Sequence, residues 1–459
     1  MSSSGEAHVV VMGAGVAGLA AALALAPHVP AVTVIERDRV ADRPQPRRGV
    51  PQGHHVHVLL ARGADALERL APGLGNELVA AGAPAADVGR RGRFTFGGHR
   101  LARAPLGRES VASSRPLLEH HLRRRVTAHA GVRMLDGYTV VGPSTSHAGS
   151  RVTGVRLRSH PDGASERTLA SDLVIDCTGR GTRTPTWLRE LGYDPPSTDE
   201  LQVDVRYASC HYRLPPKVLD GDVALICGPT PTSPRGGSMH RIEDNRWIVT
   251  LAGLGDAPPT DPGGFVDYAT RLADPDLHEA LRRGEPLHGP TTYRFPVQVR
   301  RRYERLRRLP AGLLVLGDAA CSFNPVYGQG MSIAAMEAER LAELAAGQGL
   351  PPPRRWFREL ARLVRTPWGL ATGSDLALPQ VEGRVTPVTR LLTAYLERYQ
   401  AAAATDPALA EQFARVVNLL DDPLRLFRPA AVRAVTRRRS PTTARGRGDR
   451  QAGPTPAGT

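Results

Sequence analysis

VVVMGAGVAGLAAALALA, residues 9–26, is the stretch on which the fold turns. On length alone, this uncharged run of 18 residues suits a membrane span or a signal peptide. Its context argues otherwise, since Glu6 but no Lys or Arg precedes it and no small-residue cleavage site leads into a mature start. It divides instead into a strand (9–12), a turn (13–18) and a helix (19–26), and AVTVIERD (31–38) supplies a second strand, making a βαβ unit. The glycines fall where a dinucleotide fold needs them. Gly13 allows a tight turn, Gly15 lets the backbone approach a pyrophosphate, and Gly18 lets helix and strand pack closely. The helix start then offers unpaired N–H groups and a positive dipole end to the phosphates. Glu36, at the end of the second strand, suits a bidentate acceptor for ribose hydroxyls.

Working outward, RRGVPQGHHVHVL (47–59) reads as a loop in which His55 and His57, two apart on an extended stretch, share one face. No third ligand stands nearby, so they read as hydrogen-bonding residues of a cofactor loop and no metal is expected. FTFGG within 82–111 looks like hairpin strands. SSRPLLEHHLRRRV (113–126) is a helix with a Ser cap and a Pro start, Arg115 standing just before it. Residues 132–175 suggest one β-meander ending in DLVIDCTGRG, a buried strand followed by a second loop at a strand's carboxyl end. Residues 200–300 are strand-like, an antiparallel sheet with Tyr207, Tyr212, Trp247 and Tyr293 as pocket walls or core. LLVLGDA (313–319) is again a buried strand, and the helix after GQGM runs to about 346. The remainder, to 430, reads as a Pro-punctuated helical layer, and 431–459 as a disordered basic tail.

At 459 residues the chain exceeds a usual single core, which predicts two lobes or one interleaved body. A composition of 41% hydrophobic and 23% charged residues places it among ordinary soluble enzymes. The net charge of +15 invites a nucleic-acid or anionic-membrane partner. However, residues 431–459 alone carry +6 of it, and the rest is dispersed, so neither partner is expected. Cys177, Cys210, Cys227 and Cys321 lie far apart without CxxC spacing, which predicts reduced thiols and a cytoplasmic setting.

Together, GAGVAG with Glu36, RRGVPQGHHVHVL, SSRPLLE, DLVIDCTGRG, DNRWIVTLAG and GDAACSFNPVYGQGMS resemble the FAD-dependent monooxygenases of the para-hydroxybenzoate hydroxylase fold. Within that group the chain looks most like the flavin epoxidases of polyether-antibiotic biosynthesis, the monensin and lasalocid type, themselves similar to squalene epoxidases. The resemblance spans most of residues 9–345 and implies an α/β fold: a Rossmann-like FAD-binding domain interleaved with an antiparallel-sheet substrate domain, plus C-terminal helices. The implied FAD-binding parts are 1–81, 112–190 and 305–346, the substrate domain 82–111 and 191–304, and the helical region 347–430. It further implies that Gly13, Gly15 and Gly18 hold the FAD pyrophosphate, Glu36 the ribose, and Arg47 with Gln52 the region near the flavin. Arg115 would sit against the cofactor and Asp318 at the ribityl chain, with Pro325, Gly328, Gln329, Gly330 and Met331 wrapping the isoalloxazine edge.

The last loop has a physical case of its own. A reduced flavin carries negative charge around N1 and the C2 carbonyl, and a helix start supplies backbone donors and positive partial charge there. Glycines admit a planar ring to the backbone, and the Asn-Pro step keeps the helix from starting early.

The implied reaction runs through a flavin C4a-hydroperoxide formed from O2, which passes one oxygen to a hydrophobic polyketide or terpenoid intermediate of secondary metabolism. NAD(P)H or a partner flavin reductase would supply the electrons. Epoxidation of an alkene needs no protein base, whereas phenol hydroxylation benefits from one, and the substrate lobe shows no acid/base cluster. An aromatic polyketide hydroxylase and a geranylgeranyl-reductase-type oxidoreductase are the enzyme alternatives on the same fold. A flavin-binding sensor is the non-enzymatic one. Flavin halogenases fit less well, because the WxWxIP signature is missing and the sole lysine, Lys217, lies in RLPPKVLDG.

Overall fold

The computed structural model describes residues 7–159 and 166–437. Strands His8–Met12 and Ala31–Glu36 pair in parallel, joined by helix Val16–Leu25, so the opening stretch forms the expected βαβ unit. The helix is buried on nearly every side, which explains why its sequence is apolar all round rather than amphipathic. The complete sheet is parallel throughout, in the order Leu313–Val315, Leu173–Asp176, His8–Met12, Ala31–Glu36, Val132–Asp136. Parallel pairing brings Gly13, Glu36, Cys177 and Gly317 to one edge, the carboxyl edge where such sheets bind ligands.

Residues 132–175 are not one meander. Val132–Asp136 extends the parallel sheet, with Val132 opposite Val32 and Asp136 opposite Glu36. Only Tyr138–Thr145, Val152–Ser159 and Glu166–Ala170 form a separate three-stranded antiparallel sheet. Arg115 is likewise the first residue of its helix, Arg115–Thr127, with Ser114 Oγ accepting from the Leu117 N–H at 3.3 Å.

The second lobe is a nine-stranded sheet built around Thr198–Arg213, which pairs antiparallel with Trp247–Leu254 on one side and Thr291–Arg301 on the other. Arg235–Arg241 and Ala224–Cys227 continue it to Gly92–Phe96, so the FTFGG hairpin joins this lobe from far upstream. Gly97 and Gly98 turn that hairpin with φ of +57° and +80°, values that bulky residues resist. Helices Pro262–Ala269 and Pro275–Arg283 cover the sheet's outer face around Phe265 and Leu277.

A third layer comes from the C-terminal helices. Helix Pro353–Asp375 is pinned to the parallel sheet where the Trp356 indole N–H donates to the Val315 carbonyl at 2.9 Å. Helices Pro387–Ala403 and Pro407–Val417 then pack with Leu426, Ala431 and Val435 into a small core of their own. The last described helix is Pro429–Arg437, so residues 431–437 are folded rather than a tail, because Ala431 and Val435, one turn apart, reach that core. The rest of the expected tail lies outside the described residues. No helix among the described residues is long and apolar enough to cross a membrane.

Candidate functional site

One cavity of about 1040 Å³ runs from the carboxyl edge of the parallel sheet to the antiparallel sheet and the C-terminal helices. Two of the helices that start on it bear on what it receives. Val16–Leu25 and Gly330–Gln348 have no side-chain cap and no acidic residue in the first turn, whereas helices at Arg115, Pro262 and Pro387 are capped by Ser114, Asp261 and Thr386. Their free N–H groups and positive dipole ends make this cavity a receiver of anionic or electron-rich groups at two points.

The glycines around the first start divide by what they face. Gly13 has φ +97°, and a Cβ on Gly18 would lie 1.8 Å from the Gly13 carbonyl oxygen, so the turn itself requires both. A Cβ on Gly15 would meet nothing closer than Arg115 at 3.8 Å. Gly15 therefore keeps open space that belongs to the cavity.

Glu36 also lines the cavity, yet the protein already engages it. Its Oε2 accepts from the Ala14 N–H and pairs with Arg47 Nη1, both at 2.9 Å, and its Oε1 accepts from the Asp38 N–H at 3.0 Å. A carboxylate offers about four acceptor positions, so one is left for a ligand hydroxyl. Arg47 does not line the cavity. It stands behind the first turn, donating from Nη2 to the Ala14 carbonyl at 3.0 Å and to Glu119 at 2.6 Å. Gln52 and Arg115 do line it. Arg115 donates from Nε to Glu119 at 2.8 Å and from Nη1 to His57 Nε2 at 3.2 Å.

Glu119 is the hub of this buried chain, and burial alone would raise its carboxyl; Arg115 and Arg47 overcome that and hold it below its ordinary range. The i,i+4 spacing of Arg115 and Glu119 on one helix was the signal in the sequence that could have found it. His57, pulled down to about 3 by burial and then by Arg115, donates from Nδ1 to the His55 carbonyl, so both its nitrogens are committed. His55 bonds Ser209 Oγ through Nδ1 at 2.7 Å.

At the second helix start, Asp318 faces the cavity, its carboxyl raised by burial against the opposing pull of Arg115, Arg180 and Arg301. Pro325–Tyr327 form a single 3-10 turn, Gly328 reverses the chain at φ +64°, and the helix begins at Gly330. Pro325, Gly328, Gln329, Gly330 and Met331 all line the cavity, and the buried Gln329 Oε1 has no protein partner. Of the residues expected to hold the cofactor, the structure thus brings all to this cavity's wall except Gly18 and Arg47, which stand one layer behind; His57, Tyr207 and Tyr293 also line it, whereas His55 does not and Tyr212 and Trp247 are core residues of the second lobe.

Beyond this loop the wall becomes largely apolar. Thr250, Ala252 and Leu254 present one face of the sheet by alternation, with Tyr207, Tyr293 and Phe295 beside them. Opposite lie Gly369, Leu370, Leu378, Leu392, Leu396, Phe413 and Leu426 of the C-terminal helices. The sequence placed substrate contacts in residues 200–300; half of this wall comes from a helical layer whose packing no local pattern announces. Gly369 and Gly373, one turn apart, have no atom within 4 Å of a would-be Cβ. Mid-helix glycine costs about 1 kcal/mol against alanine, and here no protein contact offsets it.

Residues 6–347 match the family described as FAD binding domain. The chain belongs to that family. It is 34% identical over 430 residues to Protein Rv3254 of Mycobacterium tuberculosis, covering 90% of each chain. Among solved structures it is similar to the flavin-dependent brominase Bmp2 (TM-score 0.66, 16% identity, 94% of this chain and 100% of that one). It is similar too to p-nitrophenol 4-monooxygenase PnpA from Pseudomonas putida (TM-score 0.64, 16% identity, 91% and 99%). These likenesses show a shared fold. The FAD binding domain fits the cavity's own features: two uncapped helix starts, the open space at Gly15, and the unpartnered Gln329 Oε1 at the second loop.

Proposed function

We propose that this protein is an FAD-dependent monooxygenase that transfers one atom of O2 to a hydrophobic substrate, epoxidising an alkene of a polyketide or terpenoid intermediate. The observation that carries the reading is the continuity of one cavity from Gly15, past the Pro325–Met331 loop, into an apolar chamber. In it Gly15 and the start of helix Val16–Leu25 take the pyrophosphate, Glu36 a ribose hydroxyl and Asp318 the ribityl chain. The Gly328–Met331 backbone faces the isoalloxazine edge. FAD, when reduced, supplies the activation of oxygen; the chain supplies placement, positive potential at Gly330 and a wall that excludes water.

Alkene chemistry is favoured by the state of the side chains. Both nitrogens of His57 are bonded within the protein, and the buried His55, pulled down to about 4, does not reach the cavity, so neither is poised to take a phenolic proton. Lys217 lies exposed on a turn and away from the cavity, which favours oxygenation over halogenation. A second reading, hydroxylation of an aromatic ring, draws on Tyr207 and Tyr293, whose rings pack 5.4 Å apart on the wall and together offer an aromatic surface to a flat substrate. Electrons come from NAD(P)H or a partner reductase.

The test is mass spectrometry of products from purified protein, FAD, a reductase system and candidate polyenes or aromatics. One added oxygen with loss of a single double bond supports epoxidation. A product two hydrogens heavier without oxygen would overturn oxygenation in favour of reduction.

A further inference from the structure

The loop that faces the cavity from Asn324 to Gly328 is held from behind by one carboxylate. Asp375, the last residue of helix Pro353–Asp375, is 1% exposed and does not itself line the cavity. Its Oδ1 accepts from Asn324 Nδ2 at 2.9 Å and from the Tyr327 hydroxyl at 2.7 Å, while its Oδ2 accepts from Gln298 Nε2. Gln298, in strand Thr291–Arg301, closes the ring: its Oε1 accepts from the Asn324 N–H at 3.0 Å. Asn324 Oδ1 in turn accepts from the Val326 N–H at 3.1 Å. Three separate parts of the chain therefore meet on Asp375. Gln298 and Asn324 are as deeply buried as it is, and burial pushes its carboxyl up to about 7. A desolvated carboxylate is costly, so three aimed donors mark a built arrangement rather than an incidental one.

We infer that Asp375 is a positioning residue: it sets the Asn324–Gly328 turn, and through it the Gly330 helix start, at the level required against the flavin, and it ties that turn to the C-terminal wall of the substrate chamber. The tie is direct, since its neighbours Ser374 and Ala377 line the chamber and Tyr327 lines the cavity from the loop side. The inference rests on the flavin-binding reading of the site for its cofactor readouts, and on the cofactor-free protein for its structural one.

The experiment compares full-length wild type with Asp375→Asn, Tyr327→Phe and the double variant. Hydrogen exchange is followed in FAD-stripped protein, and FAD affinity and the oxidised-flavin absorbance band in reconstituted protein. Asp375→Asn is expected to speed exchange at 326–331 while the strand at 9–12 keeps its protection. It should also weaken FAD binding about tenfold, the scale of one hydrogen bond to a charged group, and shift the absorbance band. Tyr327→Phe should move all three the same way by less, and the double variant should fall short of additivity because the two changes share one bond. Unchanged exchange at 326–331 in both single variants overturns the inference. So does a change confined to thermal stability, with affinity and spectrum as in wild type. If wild type takes up no FAD, the functional reading fails, and exchange alone decides the role of Asp375.

Discussion

The two ends of the cavity use glycine for opposite reasons. In GAGVAG, Gly13 and Gly18 answer to the protein, which leaves no room for a side chain at either. At the far end, Gly369 and Gly373 answer to nothing in the protein, since the space beside them is empty of protein atoms. Gly15 sits among the first group in sequence but stands nearer the second, since a Cβ there would meet nothing closer than Arg115 at 3.8 Å. The difference separates positions that determine whether the chain folds from positions that determine what it holds.

The sharpest way to break this comparison is to put valine at neighbouring glycines. Gly18→Val should yield no soluble folded protein, because its Cβ cannot avoid the Gly13 carbonyl. Gly15→Val should fold with an unchanged circular dichroism spectrum yet purify colourless, its FAD retention lost. A yellow Gly15→Val protein would refute the assignment of that space to the pyrophosphate. Next in size, Asp318→Ala should weaken FAD binding by roughly ten- to a hundredfold, as expected for a charged hydrogen-bond partner; titration of stripped protein with FAD measures it, and wild-type affinity removes Asp318 from the ribityl chain. At the far end, Gly373→Leu should leave FAD occupancy intact while raising KM for a bulky substrate roughly tenfold, the scale of a few methylenes in an apolar pocket. An unaltered KM across substrate sizes would mean that the helix wall is not substrate-facing.

The smallest effect is on stability. Burial raises Glu337 to about 8 and Asp375 to about 7. Both groups then keep a proton in the folded state that the unfolded chain releases near pH 4, so their contribution is fully present below about pH 4 and is lost progressively as pH rises to about 7 for Asp375 and about 8 for Glu337. Above about pH 7 the buried histidines His55, His57, His211 and His240, pulled down to about 4, 3, 4 and 4, are neutral in both states and drop out. Their share of the melting temperature should therefore still fall between pH 7 and about 8, almost all of it from Glu337, and Glu337→Gln should flatten that fall. A parallel fall in the variant would show that Glu337 does not titrate there.

The signal that was legible came from short-range constraints. A βαβ turn with three spaced glycines is specified within ten residues, so the parallel sheet and its ligand-binding edge could be read directly, as could the GD loop and the helix after GQGM. Val132–Asp136 departs from the expected meander because a parallel edge strand and a meander strand show the same local alternation, and only pairing with Val32–Glu36 separates them. Glu119 was visible as an i,i+4 partner of Arg115, but its role depends on Arg47 arriving from 72 residues away.

Short stretches of sequence specify one end of the cavity: the GAGVAG turn, the acid at the end of the second strand, and the late glycine loop that opens a helix. Those features are encoded by backbone conformations that only particular residues tolerate, and such residues stand out in a chain. The rest arises only in the folded chain: that Gly15 has room where Gly13 and Gly18 have none, that Asp375 holds the Asn324–Gly328 turn, and that helices beyond residue 351 wall the chamber. These depend on side chains meeting across dozens to hundreds of residues, where many residue types satisfy the same packing and no local pattern records the partner.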